Sequence, residues 1–398
     1  MKKVLTQEYN NLKQLLVSPK PITNTTSITF VKSPKVEITG KIDKQYLVKF
    51  INKKTNTILH ESRISTNMWT QANFQYFIDY KITIEDLGDN SVTEHHYNAE
   101  DKKVYVHFAS KALGDTIAWF PYAEEFRKKH KCKMVVSTFH NHMFEENYPE
   151  IEFVDPGTMV YNLYAMYEIG WHYNEDGTVD YNKNISDFKR IGLQEVSSET
   201  LGIEHIEVRP KLTYKNTGRF IEDKYVVIAP HGSAHAKYWN HKGGWQAIID
   251  YLNDKGYKVL MITQEPLGDD WHDSKLGGTL TGVIDKTGNL PLSDRANDIM
   301  NAEMFIGIGS GLSWLAWGLG TPTTMISGFS YAYSEFEDCE RISAPKGKCG
   351  GCFNRHRLDA GDWEWCPDHK DTDRMFECTT SITPNIVINS INKQLNLN

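Results

Sequence analysis

From Val104 onward the chain alternates short apolar runs with helical patterns, joined by turns that carry glycine, and few architectures accept that texture. Val104-Tyr105-Val106-His107-Phe108 passes through Ala112-Leu113-Gly114-Asp115 into an amphipathic stretch, Thr116 to His130, and then reaches Met134-Val135-Val136-Ser137. Unbroken apolar strands linked by helices pack as parallel sheets covered on both faces, which makes this a strand, helix, strand unit of a doubly wound α/β fold. A second series starts at Tyr225-Val226-Val227-Ile228-Ala229-Pro230, passes a helix near Trp245 to Lys255 and reaches the strand Lys258 to Thr263. It continues with a helix near Ser293 to Asn301 and the strand Met304 to Ile308. Two Rossmann-like halves facing a cleft are expected. The chain's 398 residues exceed the roughly 250–300 at which one core stops growing, so more than one domain is expected on size alone.

Ahead of these halves the pattern is different. Ile28 to Val31, Val36 to Ile38, Tyr46 to Ile51, Tyr80 to Ile84 and Val104 to Phe108 are short alternating runs separated by Gly40, Asn52 and Gly88-Asp89-Asn90, which predicts a small antiparallel sheet or barrel. Leu5, Leu12, Leu15 and Leu16, closed by Pro19 and Pro21, predict a short amphipathic helix in residues 1–20. Thr383 to Asn398, with Pro384 in the first turn, predicts a terminal helix that crosses back to cover one half.

No apolar run approaches the roughly 20 residues of a membrane span, and no apolar segment follows Lys2 and Lys3 to make a secretory signal, so a cytoplasmic protein without a membrane partner is expected. A net charge of −7 argues against nucleic acid, whose backbone is held by massed Lys and Arg.

Three turns carry candidate chemistry. Gly309-Ser310-Gly311-Leu312-Ser313 opens a helix after the strand ending at Ile308. Its glycines admit a ligand to the backbone, its serines offer hydroxyls, and the helix start presents free N–H groups, a set that suits a diphosphate or serves plain turn chemistry. Lys237, in the loop after Tyr225 to Ala229, is a mobile cation for a phosphate or a solvated loop lysine. Asp115 either caps the following helix or acts as a general base. Nearby Trp119, Phe120 and Trp239 belong either to the cleft wall or to the core.

Cys349, Cys352, Cys366 and Cys378 stand as Cys-x2-Cys-x13-Cys-x11-Cys. The close pair aims two thiolates at one ion and the later pair completes a tetrahedron of the kind zinc and iron both accept. Four thiolates leave no open coordination position, so a structural ion is expected, the alternative being an unliganded reduced cluster or two disulfides.

The segments Ala112-Leu113-Gly114-Asp115-Thr116-Ile117-Ala118-Trp119-Phe120-Pro121, Lys237-Tyr238-Trp239 with Trp245, and Gly309 to Ser313 resemble, in that order, glycosyltransferase family 9, the heptosyltransferases, over Val104 to Ser327. That resemblance implies a GT-B fold binding ADP-heptose between its halves. With the cysteine finger behind and the β-rich region ahead, the chain looks like the bacterial autotransporter heptosyltransferases. The implied organisation is an N-terminal β-rich domain (1–100), an acceptor-side Rossmann-like domain (101–220), and a donor-binding Rossmann-like domain (221–398) that includes a metal finger (345–380). The implied activity is protein O-heptosyl transfer from ADP-heptose to serines of an autotransporter adhesin, by inverting displacement. The implied assembly is a ring of twelve with one structural Fe3+ per chain, zinc being the alternative. Residue by residue, the resemblance makes Asp115 the base, puts Ala112, Leu113 and Gly114 near the donor, Lys237 at the phosphates, Glu265 near the nucleoside, and Gly309, Ser310, Gly311, Leu312 and Ser313 at the diphosphate. A lipopolysaccharide-core heptosyltransferase shares donor and fold, and a non-catalytic GT-B scaffold could carry the same finger; Asp115 together with Lys237 speaks against the scaffold.

Overall fold

Strands built of unbroken apolar residues form the centres of two sheets. Tyr225–Ala229 and Met304–Ile308 are buried at every position, as strands covered on both faces must be. They lie side by side in a six-stranded parallel sheet of order Ile284–Asp285, Lys258–Met261, Tyr225–Ala229, Met304–Ile308, Thr323–Ile326 and Glu340–Ile342. Strand order reverses between the two central strands, and at such a switch point the loops leaving the carboxyl ends diverge to opposite faces and open a crevice. The Lys237 loop and the Gly309–Ser313 turn leave from these two strands. The computed structural model that shows this describes residues 24–359 and 361–397, so the helix expected in residues 1–20 lies outside the described residues.

The first half repeats the device. Lys103–Phe108 and Ala165–Ile169 pair in parallel at a second switch point, with Lys133–Ser137 and Ile151–Phe153 beyond the former. Beyond the latter come three strands from the N-terminal region. Thr25–Val31 joins parallel to Ala165–Ile169, with Phe30 opposite Ala165, and Lys35–Thr39 and Met68–Gln71 continue antiparallel to make seven strands. The stretch expected to form one antiparallel unit is therefore shared between two sheets. Gln45–Asn52, Thr57–Ser65, Tyr80–Asp86 and Val92–His96 make a separate four-stranded antiparallel sheet. Edge pairing contributes: Ala165–Ile169 would otherwise present an open edge, and Phe30 and Val31 pair with its first two residues, Ala165 and Met166.

The helix expected to be amphipathic, Leu113–His130, is buried over most of its length, including Ile117, Trp119, Phe120, Tyr122 and Phe126. It is packed against the Leu193–Leu201 helix on one side and against the Gly311–Gly318 helix of the second half on another, so little of its surface is left for solvent. Its last turn, Arg127 to His130, keeps the basic residues that complement the carbonyl end of the helix dipole. Trp119 and Phe120 belong to the core. The indole of Trp119 donates to the Leu193 carbonyl at 3.0 Å, and Phe120 stacks on Phe144 with ring centroids 3.9 Å apart. Trp239 is core as well, donating to the Ile382 carbonyl at 2.8 Å. The terminal helix, Pro384–Leu395, covers the second half, packing on Gly244–Asp254 and donating from Gln394 to the Thr323 carbonyl at 3.0 Å. Among the described residues no helix is long and apolar enough to cross a membrane.

Candidate active site and metal finger

The two switch points face one cavity of about 690 Å³, within the range of small-molecule sites. Ala112, Leu113, Gly114 and Asp115 line it from the first half; Lys237, Glu265, Gly309, Ser310, Gly311 and Leu312 line it from the second. Ser313 is the exception. It is fully buried and its hydroxyl donates to the Ile308 carbonyl at 2.6 Å, which ties the helix start to the strand before it and leaves no hydroxyl for a ligand.

The switch-point geometry explains the surroundings of Asp115. Loops following Phe108 and Ile169 emerge side by side, so Trp171 stands next to the first turn of Leu113–His130 and its indole donates to Asp115 Oδ2 at 3.0 Å. Burial raises the Asp115 carboxyl above its ordinary value of 3.8, opposed by hydrogen bonds from Ser110 and Trp171 and by the positive charge of Lys237. The carboxylate's partners are side chains, and Ala112, the residue at the cap of that helix, provides no side-chain cap. A carboxylate kept from water, where burial outweighs the opposing cation and hydrogen bonds, is a stronger base than one in solution.

Lys237 answers from the other half. Burial lowers its ammonium pKa, opposed by Asp115 and Glu335, and it donates to Ser233 Oγ at 3.1 Å. Ser310 Oγ is buried without a partner and faces the cavity beside Gly311 and Leu312, whose helical turn presents amides unpaired within the helix. Gly311 has a packing reason too: a Cβ there would come within 2.9 Å of Leu113 Cβ, and one on Gly114 within 2.9 Å of Trp314 Cδ1. The helix starts of the two halves thus meet through their glycines, which fixes the distance between the Asp115 turn and the Gly309–Leu312 turn.

Several cavity residues carried no sequence signal. Arg295 is 6% exposed; its guanidinium donates to the Thr263 carbonyl at 2.7 Å and to the Gly288 carbonyl, while Nη1 has no partner. His231 Nδ1 lies 3.2 Å from Thr263 Oγ1, its Nε2 is likewise unpartnered, and burial pushes its pKa down to about 4. Glu265 accepts the Thr263 hydroxyl at 2.5 Å. Buried polar groups left without partners cost about 1–3 kcal/mol each, so this wall is built to meet a polar ligand. A regular helix pattern around Arg295 and a single His after a proline gave no reason to expect either of them there.

The cysteine segment folds as an apolar knot of Cys352, Cys366, Trp365 and Phe376 with Phe329 and Ala236 from the second half. All six cysteines are free thiols. Ligand atoms of Cys349, Cys352 and Asp368 lie within 4.8 Å of one another; Cys366 sits in the same knot and Cys378 is buried close enough to feel Cys349 and Cys366, both outside that tight group. Burial raises the Cys352 thiol, as do negative charges on Cys349, Asp368 and Cys378; the Cys378 thiol is pushed up to about 12 by burial and by Cys349 and Cys366. Thiols that feel one another this way keep their protons until a cation joins them, and a soft, thiolate-rich set fits iron or zinc. Asp368, which also takes His356 at 2.9 Å and Arg355, is the member the cysteine spacing did not disclose.

Two α/β halves that meet at one cleft, with a carboxylate from one facing an amine and a helix start from the other, are the architecture of a GT-B glycosyltransferase, and the comparisons with known proteins agree. The model of glycosyltransferase family 9 (heptosyltransferase) matches residues 182–332. The autotransporter heptosyltransferase TibC of Escherichia coli O78:H11 is 34% identical over 339 residues, 82% of this chain and 81% of that protein. The autotransporter heptosyltransferase Aah of Escherichia coli is 35% identical over 348 residues, 85% of this chain and 86% of that protein. The crystal structure of iron-containing dodecameric TibC from enterotoxigenic E. coli matches with a TM-score of 0.81 at 31% identity, covering 95% of this chain and 99% of that one. A second TibC structure, in complex with ADP-D-beta-D-heptose, matches equally at 0.81. The chain belongs to the autotransporter heptosyltransferase family.

Proposed function

We propose that this chain transfers heptose from ADP-heptose to serine hydroxyls of an autotransporter adhesin, in the cytoplasm, with Asp115 as general base. The observation that carries the reading is the meeting of Asp115, Lys237 and the Gly309–Leu312 turn in one cavity, in a chain related over most of its length to enzymes of that name. The donor's diphosphate spans Lys237 and the first turn of Gly311–Gly318, where N–H groups and the ammonium stabilise charge on departing ADP. Asp115 removes the serine proton as its oxygen attacks the anomeric carbon from the opposite face. The new carbon–oxygen bond forms while the bond to diphosphate breaks, so the configuration inverts. Arg295 Nη1, His231 Nε2 and Glu265 supply further polar contacts to the nucleotide.

The finger takes an iron ion, held by Cys349, Cys352, Cys366 and Cys378; TibC is iron-containing, and this donor set suits iron. Such an ion supplies a cross-link to the knot and no step of the transfer. TibC is also dodecameric, and a ring of the same size is the assembly expected here.

The test is co-expression with a candidate adhesin and an ADP-heptose supply, followed by intact-mass measurement of the adhesin. Heptose-sized increments support the reading; an unchanged mass beside folded enzyme overturns it. Lys237→Ala is expected to weaken donor binding by roughly 10–100-fold, the value of about 1.5–3 kcal/mol for a charged hydrogen bond, which calorimetry with ADP-heptose reads directly.

A further inference from the structure

We propose that the cysteine finger positions the base and the phosphate-binding lysine of the cleft, through Phe353, which holds Trp171 behind Asp115 and packs on the Phe329 ring beside Lys237. The inference rests on the assignment of Asp115 as the base. Phe353 follows Cys352 in the short helix Cys352–Arg355, and its ring meets Trp171 edge-on, centroids 6.3 Å apart at 90°. Trp171 is confined on its other sides by Phe188 at 5.0 Å and Trp119 at 5.8 Å, and its indole holds Asp115 Oδ2 at 3.0 Å. Phe329 belongs to the knot itself; its carbonyl accepts the Phe353 amide at 3.1 Å, its ring lies 5.4 Å from that of Phe353, and Lys237 Nζ stands 5.9 Å from its centroid. Both rings line the cavity.

The finger is anchored on the second half, where a Cβ on Gly328 would come within 2.2 Å of the Cys378 carbonyl oxygen. From there it reaches across the cleft: Asn354 donates to the Lys189 carbonyl at 2.6 Å and the Arg357 guanidinium lies 4.5 Å from the Tyr173 ring centroid, both on the first half. A tryptophan in a loop has rotamer freedom that only packing removes, and the direction of its N–H sets the plane of the carboxylate it holds. The groups facing Asp115 are the Ser110 hydroxyl and Trp171 indole of its own half and the Lys237 ammonium of the other; His140, His231, Glu265, Arg295 and Glu335 are the remaining titratable groups of the cavity wall.

The experiment compares full-length, metal-loaded Phe353→Leu, Phe353→Tyr and Trp171→Phe enzymes by metal content, calorimetric ADP binding and kcat across pH. Phe353→Leu is expected to keep its metal and its ADP affinity, to lose roughly 10–100-fold in kcat, and to lose activity on acidification at a higher pH than the parent. Phe353→Tyr restores both. Trp171→Phe, which removes the N–H together with part of the ring, reproduces the pH displacement, and adding Phe353→Leu to it changes little, as expected of two residues acting in one chain of contacts. A parental kcat and pH profile in Phe353→Leu, or additive losses in the double variant, overturns the proposal. If Phe353→Leu sheds metal or misfolds, Trp171→Phe decides alone, and an unmoved acid limb there overturns it. Transfer by Asp115→Asn would remove the base assignment itself; an inactive Asp115→Asn beside parental Phe353 and Trp171 variants removes only the positioning role.

Discussion

Asp115→Asn is expected to lower kcat by about 10²–10⁴-fold, the usual contribution of a positioned base, with the dissociation constant for ADP-heptose unchanged. The amide has the shape of the carboxylate, and its oxygen can still accept the Trp171 indole N–H, so the turn and the helix start keep their places. What it loses is the ability to take a proton. The pH dependence of the parent enzyme provides a second reading. Burial, ahead of the opposing hydrogen bonds and the Lys237 charge, holds the Asp115 carboxyl above 3.8. A base must be ionised to act, so turnover falls as pH drops through that raised value. Stability runs the other way: a carboxyl raised in the folded state favours folding below its unfolded pKa and loses that contribution as pH rises through the folded one. At neutral pH the asparagine variant should therefore melt no lower than its parent. Retained turnover would remove Asp115 from the mechanism, and lost donor affinity would move its role to binding.

Cys366→Ser is expected to empty the finger. Cys366 is 6% exposed within the knot, and its sulfur accepts the Phe376 amide at 3.5 Å. Serine is a poor ligand for a soft ion, and metal binding to such a small knot is also its folding energy, on the order of 10 kcal/mol for a complete structural site. Metal per chain measured by mass spectrometry should fall to a small fraction of the parental value, and limited proteolysis should cut within 345–380. The rest of each half should remain folded, because the large clusters around Phe120 and around Trp245 are built from other residues. Transfer should fall with the metal, since Phe353 leaves the cleft wall and Phe329 loses its packing against it. Full metal content in this variant would exclude Cys366 as a ligand and turn attention to the Cys349, Cys352 and Asp368 group.

Much of this was legible in the chain because its signals are local. A strand buried on both faces must be apolar throughout, and Tyr225–Ala229 and Met304–Ile308 are. A tight hand-over from strand to helix that packs against a neighbouring turn needs glycine, and Gly309 and Gly311 stand there. Cysteines two residues apart suggest a metal turn by spacing, and Cys349 and Cys352 do lie together with Asp368 in a group that could hold an ion. The misreadings share the opposite cause. Leu113–His130 looked amphipathic because charged residues gather in its last turn, whereas its burial is set by a helix from each half packing on it. Ser313 looked like a ligand hydroxyl, yet its partner is the carbonyl five residues before it.

By itself, then, the sequence determined the two α/β halves, the turns that carry Asp115, Lys237 and Gly309 to Leu312, and the thiols of the finger, since each follows from residue type and short spacing. Tertiary structure alone decided that Thr25–Val31 completes the sheet of the first half, that Trp171 stands behind Asp115, that Arg295 and His231 face the cavity, and that Asp368 joins the cysteines. These depend on which strand neighbours which and on how loops from distant segments converge at a switch point. Such pairings are settled by the burial of whole sheets, and no short window of residues encodes them.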